Sequence, residues 1–381
     1  MIASPFSRPL YVMLKPVGAH CNLACEYCYY LDKQQLYAQA PQHLMSEQLL
    51  EEFIRQYIAA QTMDEVLFTW HGGEALMRPL SFYRRAIELQ KKYADGKVIS
   101  NCIQTNGTLI TEEWARFLHE EQWLVGVSID GPQEYHDHYR RNRQGRPSWV
   151  KVRKGIDLLN RFHVEWNAMA VVNDLNGDDP VGFYRFFRDN LQCRFLQFTP
   201  IVERMPDGNP APFNVRPRQW GDFLCRLFDE WVQNDVGEVF VQLFDATLSN
   251  WVGMTPGVCT MAHSCGHAAV MEWNGDVYSC DHFVFPQYKL GNILETPLAE
   301  MMYSPRQMEF GRAKYESLSS VCRQCPWLFA CNGECPKNRW SSNAGTPSPV
   351  NYLCEGYQMF FQHVAPWMDE MKNKLITENR I

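Results

Sequence analysis

Three cysteines, Cys21, Cys25 and Cys28, stand within eight positions of the stretch HCNLACEYCYY, residues 20–30. Three thiolates can hold three irons of a [4Fe–4S] cubane and leave the fourth iron without a protein ligand. An iron left open in this way takes a small molecule. The same spacing also suits zinc, given a fourth ligand such as His20, or unrelated buried thiols. Eight further cysteines gather late in the chain: Cys259, Cys265 and Cys280, then Cys322, Cys325, Cys331, Cys335 and Cys354. Their CxxC and CxxxC spacings read in isolation as zinc ribbons. Eight thiolates also divide evenly into two closed four-cysteine sites, each able to house a [4Fe–4S] cluster. With these available, none of His263, His267 and His282 is required as a ligand. Cys102, Cys193 and Cys225 lie within strand or helix patterns and read as core thiols.

Chemistry of this kind needs a scaffold, and composition bounds it. The 381 residues are 46% hydrophobic and 21% charged, an ordinary globular balance long enough for one large and one smaller domain. With 36 basic against 43 acidic residues, net charge −7, there is no cationic excess for a phosphate backbone, so no nucleic-acid partner is expected. No run approaches the roughly 20 apolar residues of a membrane span, and prolines at 5, 9 and 16 break any signal-peptide core. A cytoplasmic, reducing location is therefore expected, with metal ligands or thiols in place of disulfides.

From residue 10 to 200, strand-like runs alternate with helical patterns, the signature of βα units around a parallel sheet. The strand candidates are LYVMLK (10–15), EVLFTW (65–70), VISNCIQ (98–104), WLVGVSI (123–129), VEWNAMAVV (164–172) and RFLQFTP (194–200). Residues 46–61 place Leu49, Leu50, Phe53, Ile54, Tyr57 and Ile58 on one helical face, with Ser46 as N-cap. Further helical patterns cover 79–93, 111–121, 149–162, 180–190 and 217–233. The expected fold is α/β, a partial (βα)6 TIM-like barrel over residues 1–235, with functional groups at the C-terminal ends of its strands. The proline-rich segment 200–217 reads as a long loop. From about residue 236 the βα rhythm is expected to stop, leaving a smaller, metal-stapled domain over 236–381.

An aromatic residue, Tyr27, precedes the last cysteine of the first set, and HGGE (71–74) follows the second strand. Together with CxxxCxxC these motifs resemble the radical S-adenosyl-L-methionine (radical SAM) superfamily. The resemblance implies that the open iron binds the amino and carboxylate groups of S-adenosyl-L-methionine, with Gly72, Gly73 and Glu74 at the amino group. Glycine suits that place because no Cβ keeps the backbone carbonyls from a cationic ammonium. The late cysteines resemble the SPASM extension of these enzymes. On that pattern Cys259, Cys265, Cys280 and Cys335 hold one auxiliary cluster and Cys322, Cys325, Cys331 and Cys354 the other, for three [4Fe–4S] clusters in all.

Within the superfamily the match runs over nearly the whole chain to anaerobic sulfatase-maturating enzymes, carried by KPVGAHCNLACEYCYYL, HGGE, QTNGTLI, VGVSIDGPQEYHDHYR, FLQFTP, GDVYSCDHFVFPQYKLGNI and CNGECPKNRW. The family often has glutamine before Gly-Gly-Glu and proline after it, where this chain has His71 and Ala75. The resemblance implies oxidation of a cysteine or serine of a sulfatase polypeptide to Cα-formylglycine, fed by an electron donor such as flavodoxin or ferredoxin. It places S-adenosyl-L-methionine contacts on Tyr27, Gly73, Ser128, Arg140 and Leu196, and the catalytic base on Asp281. Read without the resemblance, Ser128 caps a turn, Arg140 belongs to a solvated charged run, Glu74 forms an internal salt bridge, and Tyr30 either packs or lines a peptide pocket. Two rival functions fit parts of the pattern. One is another SPASM-type peptide modifier, such as a thioether-forming enzyme; the other is a non-catalytic iron–sulfur carrier or zinc protein, which leaves HGGE, Ser128 and Arg140 without a purpose.

Overall fold

The run LYVMLK forms strand β1 (Tyr11–Lys15), with Val12 and Leu14 buried, in a computed structural model that describes residues 10–38, 43–341 and 349–378. The nine N-terminal residues, on which the expected lack of an export signal partly rests, lie outside the described residues. After β1 come α1 (Glu47–Ala59), β2 (Glu65–Trp70), α2 (Leu80–Tyr93), β3 (Val98–Thr105), α3 (Glu112–Glu120) and β4 (Leu124–Ser128). Then follow α4 (Gln133–Tyr139), α5 (Trp149–Arg161), β5 (Trp166–Val172), α6 (Pro180–Arg185), β6 (Phe195–Pro200) and α7 (Pro217–Asn234). Helix α1 begins where its sequence indicates: the Ser46 hydroxyl accepts the Leu49 N–H at 3.1 Å, and the six apolar residues of its stripe are buried.

The chain gathers into two compact units. The first holds the described residues up to Ser128, with Asp137–Trp166 and Gly266–Gly311. In it β1, β2, β3 and β4 are neighbours in one parallel sheet, with Leu14 opposite Trp70, Trp70 opposite Ile103 and Ile103 opposite Val125. On the other side of β1 lies β8 (Ala268–Glu272), also parallel, with Lys15 opposite Glu272. Beyond it, β9 (Asp276–Tyr278) and β10 (Lys289–Asn292) pair antiparallel. Trp70, Tyr83, Trp114, Phe117 and Trp123 pack edge and face to one another in the core of this unit.

The second unit holds Ile129–His136, Asn167–Cys265 and the described residues from Arg312 onward. Its strands β5 and β6 pair in parallel, and β6 also pairs with β7 (Phe240–Val241), which leads into α8 (Gln242–Trp251). The βα rhythm thus continues one step past residue 236. A two-residue strand is too short to show an alternating pattern in sequence. Similarly, the helical pattern over 180–190 resolves into α6 and a π-helical turn over Phe186–Asn190. The C-terminal helix (Cys354–Thr377) packs on α7 at a crossing of two glycines: a Cβ on Gly356 would lie 2.3 Å from the Pro217 carbonyl oxygen. Among the described residues, no helix is long and apolar enough to cross a membrane.

Candidate active site

The C-terminal ends of β1 to β4 lie side by side in the first unit, and each carries a group singled out by sequence. The cysteine loop leaves β1 as a tight turn, with Cys28 N–H donating to the Cys25 carbonyl at 3.1 Å. It is strapped to the segment after α4 by hydrogen bonds from Ala24 N–H to Arg141 O at 2.8 Å and from Glu26 N–H to Tyr139 O at 3.2 Å. This strap brings two predicted cofactor contacts together: the Arg140 guanidinium lies 5.5 Å from the Tyr27 ring centre, and Tyr27 meets Tyr139 edge-on. Arg140 is buried, although its run of charges suggested a solvated face. The Cys21 sulfur accepts from Leu23 N–H at 3.3 Å and from the Asn106 side chain at 3.8 Å, the kind of bond that also steadies cluster thiolates.

HGGE docks against this loop. Gly73 N–H donates to Gly18 O at 2.7 Å and Glu74 N–H to His20 O at 2.9 Å. A Cβ at position 73 would stand 2.1 Å from the His20 carbonyl oxygen, so glycine is required there for the two loops to touch. Glu74 is buried. Its Oε1 accepts from Leu76 N–H and the Thr105 hydroxyl, and its Oε2 from Asn106 N–H. The described partners of Glu74 are therefore neutral donors that brace the ends of β2 and β3, in place of an internal salt bridge. Burial nonetheless pushes this carboxyl above its ordinary range. Ser128, at the end of β4, accepts from the Gln104 amide at 2.9 Å. Leu196 is buried in β6 of the second unit.

Asp281 follows Cys280 in a short turn of the first unit and is held at both oxygens. Oδ1 is ion-paired with Lys15, which is fully buried at the end of β1, and Oδ2 accepts from the Tyr29 hydroxyl. Burial alone would push the Asp281 carboxyl up; the neighbouring Lys15 ammonium overrides it and holds the group well below the usual carboxylate range. Lys15 also lies 3.1 Å from the centre of the Tyr30 ring, and the Tyr30 hydroxyl donates to Glu272. Burial lifts Glu272 to about 7, with Lys15 and Tyr30 pulling the other way. His71 is lowered to about 4 by burial and by Lys15, and its Nδ1 accepts from Gly72 N–H, so it is a neutral imidazole. Lys15, Tyr29 and Glu272 were not singled out from the sequence. A lysine ending an apolar strand, LYVMLK, is the one signal they left.

In the second unit, Cys322, Cys325, Cys331 and Cys354 line a single cavity whose other walls include Trp327, Leu328, Tyr357 and Phe361. Four thiols around an apolar hollow suit a cubane, whose ligands stand at its corners. Burial pushes Cys354 to about 11 and Cys331 to about 12. Cys259, Cys265 and Cys335 also belong to this unit, and Cys280 to the first. None of the fourteen cysteines, all among the described residues, is joined in a disulfide. Cys193 is buried and Cys102 and Cys225 are half-buried, as core thiols would be.

Two family patterns match the chain: the radical SAM superfamily over residues 16–187 and an iron–sulfur cluster-binding domain, SPASM, over 259–326. A serine-type anaerobic sulfatase-maturating enzyme of Bacteroides thetaiotaomicron is 62% identical over 98% of this chain and 94% of its own. A cysteine-type anaerobic sulfatase-maturating enzyme of Clostridium perfringens is 30% identical over 96% of this chain and 99% of its own. Among solved structures, native anSMEcpe with bound AdoMet and Cp18Cys peptide superposes with a TM-score of 0.87 at 30% identity, covering 96% of this chain and all of that one (100%). With the parallel α/β fold superposing on that structure and these identities running over nearly the whole chain, the chain belongs to the anaerobic sulfatase-maturating enzymes of the radical SAM superfamily.

Proposed function

We propose that the protein oxidises one residue of a sulfatase polypeptide, serine in preference to cysteine, to Cα-formylglycine. The Asp281 site carries this reading: a half-buried carboxylate kept ionised by Lys15 and tied to Tyr29, the residue next to Cys28. Serine is favoured because the relative at 62% identity is of the serine type, while the cysteine-type relative stands at 30%. The cofactors are S-adenosyl-L-methionine and three [4Fe–4S] clusters. Cys21, Cys25 and Cys28 would hold the first cluster. Tyr27, Gly72, Gly73, Glu74, Ser128, Arg140 and Leu196 would contact S-adenosyl-L-methionine. Cys322, Cys325, Cys331 and Cys354 would hold one auxiliary cluster around their cavity, and Cys259, Cys265, Cys280 and Cys335 the other, on the cysteine pattern alone. When bound, the first cluster and S-adenosyl-L-methionine supply a 5′-deoxyadenosyl radical able to take a Cβ hydrogen from the target.

The chain's own groups do the rest. Asp281 accepts the proton of the target hydroxyl, which its ionised state allows, and Tyr29 and Lys15 fix the direction its oxygens face. Loss of one hydrogen atom, one proton and one electron turns CH2–OH into CH=O. The labour divides along the chain into a radical SAM part over 1–235 and a cluster-bearing part over 236–381, in keeping with the two pattern matches. A flavodoxin or ferredoxin would supply the reducing electron, in the cytoplasm.

The test is anaerobic incubation of the reconstituted protein with S-adenosyl-L-methionine, a reductant and sulfatase-motif peptides carrying serine or cysteine at the target position. Mass spectrometry should show the serine peptide lighter by two hydrogen atoms and converted faster than its cysteine counterpart. Unchanged peptides beside steady 5′-deoxyadenosine formation would overturn the reading, and faster conversion of cysteine would overturn the preference.

A further inference from the structure

Between Cys331 and Cys335 the second unit makes an unusual turn. Asn332, Gly333 and Glu334 all have left-handed backbones, with φ of 50°, 71° and 51°. Glycine takes this conformation freely, but three in succession including a glutamate need an outside hold. The hold is the Arg339 guanidinium. Its Nε donates to Gly333 O at 2.8 Å, and its Nη2 to Asn332 O at 3.3 Å and Glu334 O at 3.2 Å. Its Nη1 reaches across to Lys314 O at 2.5 Å and the Ser317 hydroxyl at 3.2 Å. A Cβ at position 333 would stand 2.7 Å from Nη2, so the turn's glycine is what admits the guanidinium.

From this one group, contacts run toward both sets of late cysteines. The turn itself begins at Cys331 and ends at Cys335. Lys314, which receives Nη1 on its carbonyl, is buried and donates from Nζ to Cys259 O at 2.8 Å and Thr260 O at 2.7 Å. The Arg339 charge also acts on Cys322 and Cys331 of one set, on Cys265 of the other and on the Glu334 carboxylate. Its described hydrogen-bond partners are carbonyl and hydroxyl oxygens, with no carboxylate among them. The Glu334 carboxylate instead accepts from the Asn338 and Asn351 amides. A guanidinium is always charged, and a positive charge beside an iron–sulfur cluster favours its reduced form.

We propose that Arg339 is a positioning residue shared by the two auxiliary clusters, closing the Cys331–Cys335 turn that joins their ligand sets and making both clusters easier to reduce. This rests on the assignment of the late cysteines to two clusters. It concerns how readily those clusters accept the electron that oxidation of the target releases.

The experiment compares reconstituted full-length protein with its Arg339→Met and Arg339→Lys variants by iron content and by redox titration followed by electron paramagnetic resonance. In Arg339→Met the reduction equilibrium constant of both auxiliary clusters should fall about tenfold, about 59 mV each, with that of the Cys21 cluster unmoved. Arg339→Lys keeps the charge and should shift them less. Should Arg339→Met fail to hold its auxiliary iron, both clusters should be lost together, and the Arg339→Lys potentials then decide the effect of charge. A change confined to one auxiliary cluster, unmoved potentials in a variant that keeps its iron, or a lysine variant shifted by the full tenfold would each overturn the proposal. Iron near 4 per chain in the unmodified protein, where three clusters require about 12, would instead overturn the cluster assignment on which it rests.

Discussion

In the first unit the buried Lys15 faces a carboxylate, Asp281; in the second, the equally buried Lys314 faces two backbone carbonyls, those of Cys259 and Thr260. The acids differ in the same way. Glu272 receives a tyrosine hydroxyl beside Lys15, whereas Glu334 receives two asparagine amides. Around the proposed proton acceptor, the protein sets side-chain charge against side-chain charge, so that the ionisation of one group governs another. Where cysteine loops must be held, it spends charge on the main chain. A buried cation is thus a chemical device in one place and a fastener in the other.

The largest effects should come from the groups nearest the proposed reaction. Replacing Cys21, Cys25 and Cys28 together by alanine should reduce 5′-deoxyadenosine formation to the level of a protein-free control, while Cys102→Ala, which trims a thiol beside Thr69, should leave it near normal. Chromatography of the reaction mixtures reads both. Next, Asp281→Asn keeps the shape and removes the acceptor, so formylglycine yield should fall by about 10²- to 10⁴-fold. Cluster content and deoxyadenosine should persist. Equal loss of deoxyadenosine and formylglycine would show that Asp281 serves its unit chiefly as a fastener, and would erase the contrast.

Stability tests the contrast directly. Lys15→Met leaves the half-buried Asp281 carboxylate without its cation and should cost up to about 3–5 kcal/mol, whereas Lys314→Met leaves carbonyls unsatisfied and should cost about 1–3 kcal/mol. Chemical denaturation of the two variants side by side measures the difference. Adding Asp281→Asn should recover much of the first loss, because the stranded charge is gone. The smallest effect is a pH dependence. Glu272 titrates at about 7 in the fold against an ordinary 4.5, so the folded protein keeps a proton that the unfolded chain releases between those values. Its contribution is therefore fully present below 4.5 and is lost as pH rises through 7, by at most about 3 kcal/mol. Glu272→Gln should abolish that part of the slope, read as the difference between unfolding free energies at mildly acidic and neutral pH.

Much of the scaffold was legible because hydrophobic periodicity is a local property. Strands β1 to β6 and the Ser46 cap lie within one or two residues of where the pattern put them. The candidate cluster ligands stood out because cysteine has few other uses at such density. What escaped depends on contacts between distant segments. Tyr30 drew attention as a pocket residue, yet it is Tyr29 that bonds Asp281, while Tyr30 turns to Glu272. No spacing rule says which of two adjacent tyrosines faces a residue some 250 positions away. Arg140 looked like part of a wet charged run, and only the strap to the cysteine loop explains its burial. Lys15 was hidden for the opposite reason: a charge at a strand's end is ordinary until its partner on a far loop is known.

The contact between Gly73 and His20 makes two stretches of the gene a single unit of inheritance. Any side chain at 73 would push away the His20 carbonyl, and with it the peptide that leads into Cys21, so neither loop can drift unless the other moves to match. A library that randomises one loop alone would therefore return parental glycine at 73, whereas one that varies both together could recover new pairs.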